Sequence, residues 1–265
     1  MRCRRYAAEV RNFKLRCQYS ERDNMSVSYT DYSKMIDHSL LPPMLTEAEL
    51  EAGCQLAVAY DVASVCILPY FMKRCTELLS SSTVKPSTTI GFPHGVIPTE
   101  FKVAESKRAI ADGCEELDMV VNISQVKTGN WSYVSDDIKA VVDVAHAAGQ
   151  KVKVIFENCY LADDEKIQLC RICTDVGADW VKTSTGFGTG GATMEDLKLM
   201  VENTPDHVQV KAAGGVRDFE KLKEVRALGV TRCGASATKA MLDGCRKQLG
   251  LPPIEVSDTA PSSGY

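Results

Sequence analysis

Long apolar runs and an excess of positive charge are both missing from this sequence of 265 residues. No window approaches the roughly 18 consecutive apolar residues that a membrane-spanning helix requires. The chain has 31 Lys and Arg residues against 35 Asp and Glu residues, which gives a formal net charge of -4 at pH 7. A general nucleic-acid or membrane-surface role needs a basic patch, and this balance argues against one. We therefore expect a soluble protein that binds a small molecule, with no nucleic-acid or membrane partner.

Histidine is also scarce, with four residues in the whole chain. They are His38, His94, His146 and His207, and no two of them have the HxH or HxxH spacing that is typical of a metal site. His146 falls in a predicted helix on the far side of the fold, whereas His38 and His94 are expected to form hydrogen bonds near the functional groups described below. We predict no metal ion and no cofactor.

A disulfide pattern is absent, although the chain has 11 cysteines. Their number is odd and they are scattered through predicted helices and strands, which suits a reducing cytosol and a cytoplasmic protein. Cys170 and Cys173 have CxxC spacing, but neither a second pair nor a suitable helix start accompanies them. We interpret them as apolar side chains on one face of a helix.

The two ends of the chain differ in composition from the rest. Residues 1–24 are rich in arginine and are interpreted as an extension, with a targeting presequence or a start at Met25 as alternatives. The last ten residues, VSDTAPSSGY, are small and polar, which predicts a mobile tail. We predict an N-terminal extension over 1–33, one domain over 34–250 and a flexible tail over 251–265.

Between these ends, short β-branched runs alternate with longer amphipathic segments. The amphipathic segments open with Thr, Pro or Asp and several close with Gly, as helices do. Strands separated by helices pair in parallel, and eight such units in roughly 210 residues are typical of an α/β fold of the (β/α)8 TIM barrel type. An open doubly wound sheet is the alternative, but no GxGxxG turn follows the first strand. The predicted strands lie in SKMIDHS, DVASVCIL, STTIGF, CEELDMVVNI, KVKVIFEN, ADWVKTS, HVQVKAA and VTRCGAS.

Polar and ionisable residues stand at the carboxyl ends of these predicted strands. In a TIM barrel the chemistry takes place at this end, in the loops that follow the strands. We therefore expect these residues to converge on one mouth. They are Asp37, His38, Cys66, His94, Asp118, Asn122, Glu157, Lys182, Lys211 and Ser236.

Lys182 and Lys211 end two consecutive predicted strands, so their amines should lie close together. Two like charges in a partly desolvated site disfavour protonation and lower the pKa of at least one amine. A lysine with a lowered pKa can form a Schiff base with a carbonyl, although strand-end lysines that only reach solvent are the alternative. Asp118 lies in an otherwise apolar strand, where a carboxylate needs a charged partner. Its expected role is proton transfer, with a structural counter-ion as the alternative.

Gly-rich loops follow the last three predicted strands. Gly186, Gly214, Gly215 and Gly234 allow close approach of the backbone, and the helix N-termini that follow them favour an anion. TIM barrels often bind phosphate near the loops after strands seven and eight. The sequence therefore predicts a phosphorylated small molecule as the substrate.

Eight motifs of the chain resemble, in order and spacing, those of the deoxyribose-phosphate aldolases. The resemblance covers about residues 34–247, and its most specific part is the VKTSTGF block. It implies a class I aldolase that cleaves 2-deoxy-D-ribose 5-phosphate reversibly to D-glyceraldehyde 3-phosphate and acetaldehyde without a metal. The motifs are MIDHSLLPP, VASVCILPY, IGFPHG, CEELDMVVNI, VKVIFENC, GADWVKTSTGFGTGGAT, VKAAGGVR and CGASA.

The resemblance also implies roles for individual residues. Lys182 would form the Schiff base, Lys211 would tune it, and Asp118 would relay protons. Ala213 and Ala237 depart from the family, since many members have Ser at the first position and some at the second, so the number of side-chain contacts to phosphate stays open. The implied substrate-binding residues are Asp37, Cys66 and Thr185 in the pocket, and Gly186, Gly214, Gly215, Gly234 and Ser236 around the phosphate.

Other hypotheses stay open for the same residues. They are another Schiff-base barrel acting on a phosphorylated sugar, such as a transaldolase, and a non-catalytic barrel that binds sugar phosphates. Lys153 is the main competitor for the Schiff base. Tyr265 ends the chain, and some aldolases of the resembled family also end in a tyrosine that reaches the active site. We predict Tyr265 as a further catalytic residue, with a tail of no function as the alternative, and we expect a homo-oligomer, either dimer or tetramer.

Overall fold

The computed structural model describes residues 27–256, which form a closed barrel of eight parallel strands. Strands that follow one another in the chain are neighbours in the sheet, and the last strand pairs with the first to close it. The predicted TIM barrel is confirmed, whereas Met25 and Tyr265 lie outside the described residues. The strands are β1 Ile36–Leu40, β2 Ser64–Ile67, β3 Lys85–Ile90, β4 Glu116–Val120, β5 Lys151–Ile155, β6 Trp180–Lys182, β7 Gln209–Ala213 and β8 Arg232–Ala235.

Helices connect the strands and surround the barrel. A predicted helical segment follows each strand at its expected place in the chain, and single 3-10 turns, Pro69–Phe71 and Asn158–Tyr160, follow β2 and β5. The helices are α1 Tyr29–Ser33, α2 Glu47–Ala59, α3 Met72–Leu79, α4 Thr99–Ala111, α5 Ile123–Thr128, α6 Trp131–Ala147, α7 Asp163–Val176, α8 Met194–Glu202, α9 Phe219–Ala227 and α10 Thr238–Gln248. None of the helices described is long and apolar enough to cross a membrane.

Side-chain caps fix where several of these helices begin. The side-chain oxygens of Thr46, Asn130, Thr193 and Asp218 each accept a hydrogen bond from the backbone N–H three residues later. Such a cap stabilises a helix by about 1 kcal/mol. Because the helices follow strands, their N-termini lie at the same end of the barrel as the carboxyl ends of the strands. Their N–H groups give that end a positive potential that favours an anion.

The sequence pattern does not predict α1 and α5. They have five and six residues, which is too short for a periodic apolar pattern to stand out. Ser28 and Asp31 nevertheless form a reciprocal capping box at the start of α1. Tyr32 of α1 packs edge-on against Phe219 of α9, with 4.8 Å between the ring centroids. Part of the predicted extension over 1–33 is therefore packed against the barrel.

The two faces of the strands differ in polarity. Ile36, Leu117 and Val154 have no exposed surface and belong to the hydrophobic core between the strands and the helices. Successive side chains of a strand point to opposite faces, so residues two apart, such as Glu116 and Asp118, share the other face. This alternation gathers the charged residues of several strands inside the barrel.

His38 lies on the outward face of β1, which contradicts the expectation that it lies at the mouth. Its Nδ1 atom is 2.8 Å from Oγ1 of Thr238 in α10. Burial lowers the pKa of this imidazole to about 4. Alternation explains the error, because Asp37 points inward and the next residue along the strand must therefore point outward. His94 is exposed in the loop after β3.

The cysteines of α7 support the core interpretation of the CxxC pair. Cys170 and Cys173 are both free thiols with no exposed surface. Burial raises the pKa of both thiols, that of Cys170 to about 12. A thiol with a raised pKa is neither a nucleophile nor a good metal ligand at neutral pH, so these two side chains act as apolar packing.

Candidate active site

Lys182 is the last residue of β6, and its amine lies inside the barrel. Strand pairing aligns it with Lys211 of the neighbouring strand β7. Both Nζ atoms lie 2.7 Å from the same oxygen, Oδ2 of Asp118, which reaches them from β4. Lys182 is 3% exposed, and Lys211 and Asp118 have no exposed surface. The structure thus brings these three residues together in a buried cluster.

Lys153 of β5 belongs to the same cluster but has more carboxylate partners. Its Nζ atom lies 2.9 Å from Oδ1 of Asp118 and 2.5 Å from Oε2 of Glu116. Burial acts to lower its pKa, but Asp118, Asp37 and Glu116 together hold the pKa well above its ordinary value. Lys153 is therefore a cation at neutral pH, which does not suit a nucleophile.

Lys211 and Lys182 share Asp118, but their pKa values are shifted in opposite directions. Lys211 has a second partner, Oδ2 of Asp37 at 2.6 Å, and the two carboxylates raise its pKa against the effect of burial. The pKa of Lys182 is lowered, chiefly by burial and further by the charge of Lys211, against the opposing effect of Asp118. Desolvation is thus the main cause of the shift that the sequence suggests, and the neighbouring lysine is a smaller one.

The salt-bridge network around Lys182 contains equal numbers of cations and carboxylates when Lys182 is neutral. Salt bridges among the described residues link three cations other than Lys182 with three carboxylates, and a protonated Lys182 adds a fourth cation. A buried charge without its own counter-ion is costly, so this count favours the neutral amine. The three cations are Lys153, Lys211 and Arg232, and the carboxylates are Asp37, Glu116 and Asp118.

Asp118 connects the three lysines through its two oxygens. Lys153 donates a hydrogen bond to Oδ1, whereas Lys182 and Lys211 both donate to Oδ2. Burial acts to raise the pKa of Asp118, but Lys153, Lys182 and Lys211 outweigh it and hold the pKa well below its ordinary value. The carboxylate is therefore ionised, and Oδ2 offers a direct path for a proton between two amines.

Glu116 and Arg232 belong to this network but do not stand out in the sequence. Arg232 Nη1 lies 2.5 Å from Oδ1 of Asp37, and its Nη2 lies 2.9 Å from Oε1 of Glu116. Both residues stand two positions before a predicted site residue, Asp118 or Gly234. Residues two apart on a strand point to the same face, so the inward position of Asp118 and Gly234 could have predicted that Glu116 and Arg232 also point inward.

A pocket opens beside Lys182 at the carboxyl ends of β6, β7, β8 and β1. Arg217 and Ser39 also line it, and neither is predicted from the sequence. Ser39 stands two positions after the inward-facing Asp37, and Arg217 follows the glycine pair in VKAAGGVR, so each carried a local signal. The predicted residues in the wall are Thr185, Gly186, Gly214, Gly215, Gly234 and Ser236.

Glycine is required where the loops of this pocket meet. Gly214 and Gly215 have φ values of 76° and 85°, in the left-handed region that favours glycine. A Cβ atom on Gly191 would lie 2.7 Å from the carbonyl carbon of Gly214, so the loop after β6 packs with its backbone directly on the loop after β7. The backbone N–H of Ala192 donates to the carbonyl of Ala213 at 3.0 Å. The resulting concave backbone surface suits an anion.

Asp37 and Cys66 are predicted to bind substrate, but both are fully buried and lie outside the pocket wall. Asp37 contacts Lys211, and Ser64 donates a hydrogen bond to its Oδ1 at 2.7 Å. Burial and the charge of Asp118 raise the pKa of Cys66, so it stays a neutral thiol. Direct contact of Asp37 or Cys66 with a substrate stays a prediction.

Comparison with known proteins identifies the family to which this barrel belongs. Residues 32–238 match the model of the DeoC/LacD family of aldolases. The chain belongs to this family. A deoxyribose-phosphate aldolase of Rhodopirellula baltica is 65% identical over 89% of this chain and 98% of its own length. One of Thermococcus gammatolerans is 46% identical over 82% of this chain and 97% of its own.

Solved structures of two aldolases agree with the fold. The tetrameric deoxyribose phosphate aldolase of Aeropyrum pernix superposes with a TM-score of 0.79 at 28% identity, covering 88% of this chain and 97% of its own. An aldolase designated QR15 has a TM-score of 0.79 at 33% identity, over 84% of this chain and 99% of its own. The predicted resemblance and enzyme class, a carbon–carbon lyase, are confirmed.

Proposed function

We propose that the protein cleaves 2-deoxy-D-ribose 5-phosphate reversibly to D-glyceraldehyde 3-phosphate and acetaldehyde through a Schiff base on Lys182. The observation that carries this proposal is a buried amine with a lowered pKa at the wall of a glycine-lined pocket. Such a site matches both ends of the substrate, the aldehyde and the phosphate. The relatives named deoxyribose-phosphate aldolase support the same substrate.

The first step is attack of the neutral Nζ of Lys182 on the C1 aldehyde. The carbinolamine that forms takes up a proton, loses water and becomes an iminium ion. Asp118 holds the amine at 2.7 Å, and Lys211 on the same oxygen disfavours a second positive charge there. Lys182 is thereby kept in the unprotonated form that the attack needs.

The second step breaks the bond between C2 and C3. The C3 hydroxyl loses its proton, its oxygen becomes the carbonyl of D-glyceraldehyde 3-phosphate, and the bonding electrons flow to the iminium nitrogen. In the iminium, Lys182 has fewer protons to donate, so Oδ2 of Asp118 becomes free to accept a hydrogen bond from the substrate or from water. Asp118 is therefore the proposed acceptor of the proton.

Protonation of the remaining enamine at C2 and hydrolysis then release acetaldehyde. Asp118 is the proposed donor of that proton, which it took from the C3 hydroxyl in the second step, while Lys211 donates a hydrogen bond to its Oδ2 atom at 2.7 Å and holds the carboxyl group in place. The two acidic partners of Lys211 keep it protonated between turnovers. Tyr265 is proposed as a further proton donor at this step.

The phosphate is proposed to bind at the glycine-rich end of the pocket. Gly214 and Gly215 present their backbone there, and Ser236 stands just before α10, whose N-terminus favours an anion. Arg217 in the same wall adds a positive side chain. We further propose a homo-oligomer, which the tetramer of the Aeropyrum pernix relative supports, and a location in the cytoplasm.

Reductive trapping tests the proposed nucleophile. Borohydride reduction in the presence of acetaldehyde should add a two-carbon group to Lys182, because its amine is the one with a lowered pKa beside the pocket. Mass spectrometry of the peptides locates the adduct, and Lys182→Arg is the control that should trap nothing. An adduct on Lys153 or Lys211 would contradict the assignment.

A further inference from the structure

Glu157 is a buried carboxylate at the pocket side of the barrel to which the proposed reaction gives no part. It follows β5, is 2% exposed, and is the last residue before the 3-10 turn Asn158–Tyr160. Its backbone lies in the left-handed region, with φ 58° and ψ 62°. This conformation is unfavourable for a residue with a side chain, and residues held in it cluster at functional sites.

The Glu157 side chain binds the loop that follows Lys182. Its Oε1 atom accepts a hydrogen bond from the backbone N–H of Thr185 at 3.1 Å, and its Oε2 atom accepts one from the Thr185 hydroxyl. The same hydroxyl oxygen accepts a hydrogen bond from the backbone N–H of Phe187 at 2.9 Å. One carboxylate thus fixes both the backbone and the side chain of a residue that lines the pocket.

Packing holds the same loop against Glu157. A Cβ atom on Gly188 would lie 3.0 Å from Cδ of Glu157 and 2.8 Å from Sγ of Cys159, so the glycine backbone rests on these side chains. Further along, Gly191 packs on the backbone of Gly214. The loop is therefore anchored at both ends, by Glu157 beside Lys182 and by the phosphate side of the pocket.

The contacts of Glu157 are separate from those of the lysines. Lys182 and Lys211 form their ion pairs with Asp118 and Asp37. Glu157 instead contacts Thr185, three residues beyond Lys182. A change at Glu157 should therefore move the loop without changing the charge state of the amine.

We propose that Glu157 is a positioning residue that acts through Thr185 by hydrogen bonding, and that it holds the pocket wall in the shape that binds the substrate. The substrate part of this inference rests on the proposed function. Both oxygens of the Glu157 carboxylate bind one residue, and its backbone has a conformation that disfavours side chains. The surrounding structure must therefore hold Glu157 in this conformation, and the conformation allows the contact with Thr185.

A double-mutant cycle tests the inference in the full-length enzyme. Glu157→Ala and Thr185→Val should each raise KM for 2-deoxy-D-ribose 5-phosphate about tenfold, the loss expected for one or two hydrogen bonds, with little change in kcat. The double variant should lose no more than Glu157→Ala alone, because Glu157→Ala already removes the hydroxyl contact that Thr185→Val removes, together with the bond from the Thr185 backbone N–H. Losses that multiply to about a hundredfold, or an unchanged KM in Glu157→Ala, would overturn the inference.

The conservative variant separates hydrogen bonding from acid–base chemistry. Glu157→Gln keeps an oxygen for the Thr185 N–H and an amide that can donate to the Thr185 hydroxyl, so it should keep KM within about threefold of the original enzyme. The pH profile of kcat/KM should not change in Glu157→Gln or Glu157→Ala. A large fall in kcat with an altered pH profile in Glu157→Gln would instead make Glu157 an acid or base.

Amide hydrogen exchange gives a readout that does not depend on the substrate. Without ligand, Glu157→Ala and Thr185→Val should speed exchange in residues 185–188 about tenfold, because the anchor of the loop is lost. Glu157→Gln should leave that exchange close to the original rate. If the original enzyme does not cleave the proposed substrate, the proposed function fails, but faster exchange still supports positioning. Unchanged exchange in Glu157→Ala overturns positioning whatever the substrate is.

Discussion

Lys182 differs from the two other lysines inside the barrel in the number of carboxylates that it contacts. Lys153 and Lys211 each contact at least two, whereas Lys182 shares Asp118 with both of them. All three amines lose hydration when they are buried, but only Lys153 and Lys211 have additional carboxylate partners that compensate for this loss. The distribution of counter-ions therefore selects the amine that loses its proton most readily.

Replacing the neighbouring lysine should show this selection. Lys211→Leu frees Asp118 to pair more closely with Lys182, and it removes the positive charge that helps to lower the Lys182 pKa. The pKa should rise, and each unit of rise lowers the neutral fraction about tenfold at pH values below it. The activity of the variant should thus be low at pH 7 and recover at higher pH. Wild-type turnover at pH 7 in a normally folded variant would contradict this.

His38 should make the stability of the protein depend on pH. Its folded pKa of about 4 lies below the ordinary value of about 6.5, so between these values the unfolded chain takes up a proton that the folded protein does not. The free energy of unfolding should therefore fall as the pH drops from 6.5 to 4, by about 3 kcal/mol from this residue. Urea unfolding of His38→Gln should show a shallower fall over this window. Parallel curves for the two proteins would exclude the effect.

At the scale of elements, contact between two loops shapes the phosphate end of the pocket. The loop after β6 meets the loop after β7 at Gly191 and Gly214, where no side chain fits. Such a contact transmits any displacement, because backbone atoms cannot change rotamer as side chains do.

A methyl group at this contact should weaken binding of the phosphate. Gly191→Ala would bring its Cβ atom within 2.7 Å of the Gly214 backbone, whereas Gly190→Ala would make only an ordinary contact at 3.4 Å with Cys159. We expect KM for the phosphorylated substrate to rise on the order of tenfold to a hundredfold in Gly191→Ala. Gly190→Ala is the matched control. Equal KM values in the two variants would show that the loops move apart without loss.

At the scale of the whole molecule, two parts of the protein are candidate sources of the proton that the enamine receives. They are the charged interior of the barrel and the end of the chain. The interior offers Asp118, which Lys211 holds in place. Residues 257–265 lie outside the described part of the chain, and Tyr265 is proposed to act from there.

Deleting Tyr265 should separate these two sources of protons. If its phenol delivers the proton to the enamine, deletion should slow exchange of the acetaldehyde methyl protons with deuterated solvent far more than it weakens substrate binding. General acids typically contribute about 10²- to 10⁴-fold to such a step. Proton NMR of acetaldehyde with the truncated enzyme measures the exchange. An unchanged rate would leave Asp118 as the proton donor.

Local patterns in the chain were enough to predict the barrel and the positions of its strands. Strand and helix periodicity, capping residues and the order of eight βα units all depend on neighbours in the chain, so they can be read locally. The same reasoning aligned Lys182 with Lys211, since consecutive parallel strands end at the same edge. Short helices such as α1 and α5 were not predicted, because five or six residues are too few to show a clear period of apolar side chains.

Two features follow from the tertiary structure alone, namely which charges meet and which of the three lysines has a lowered pKa. Glu116, Asp37 and Arg232 come from three strands far apart in the sequence, and closure of the barrel alone brings them into contact. The contact of His38 with Thr238 and the hydrogen bonds between Glu157 and Thr185 also depend on the closed barrel. Electrostatic energies depend on distance and on burial, and both are properties of the closed barrel that no local pattern contains.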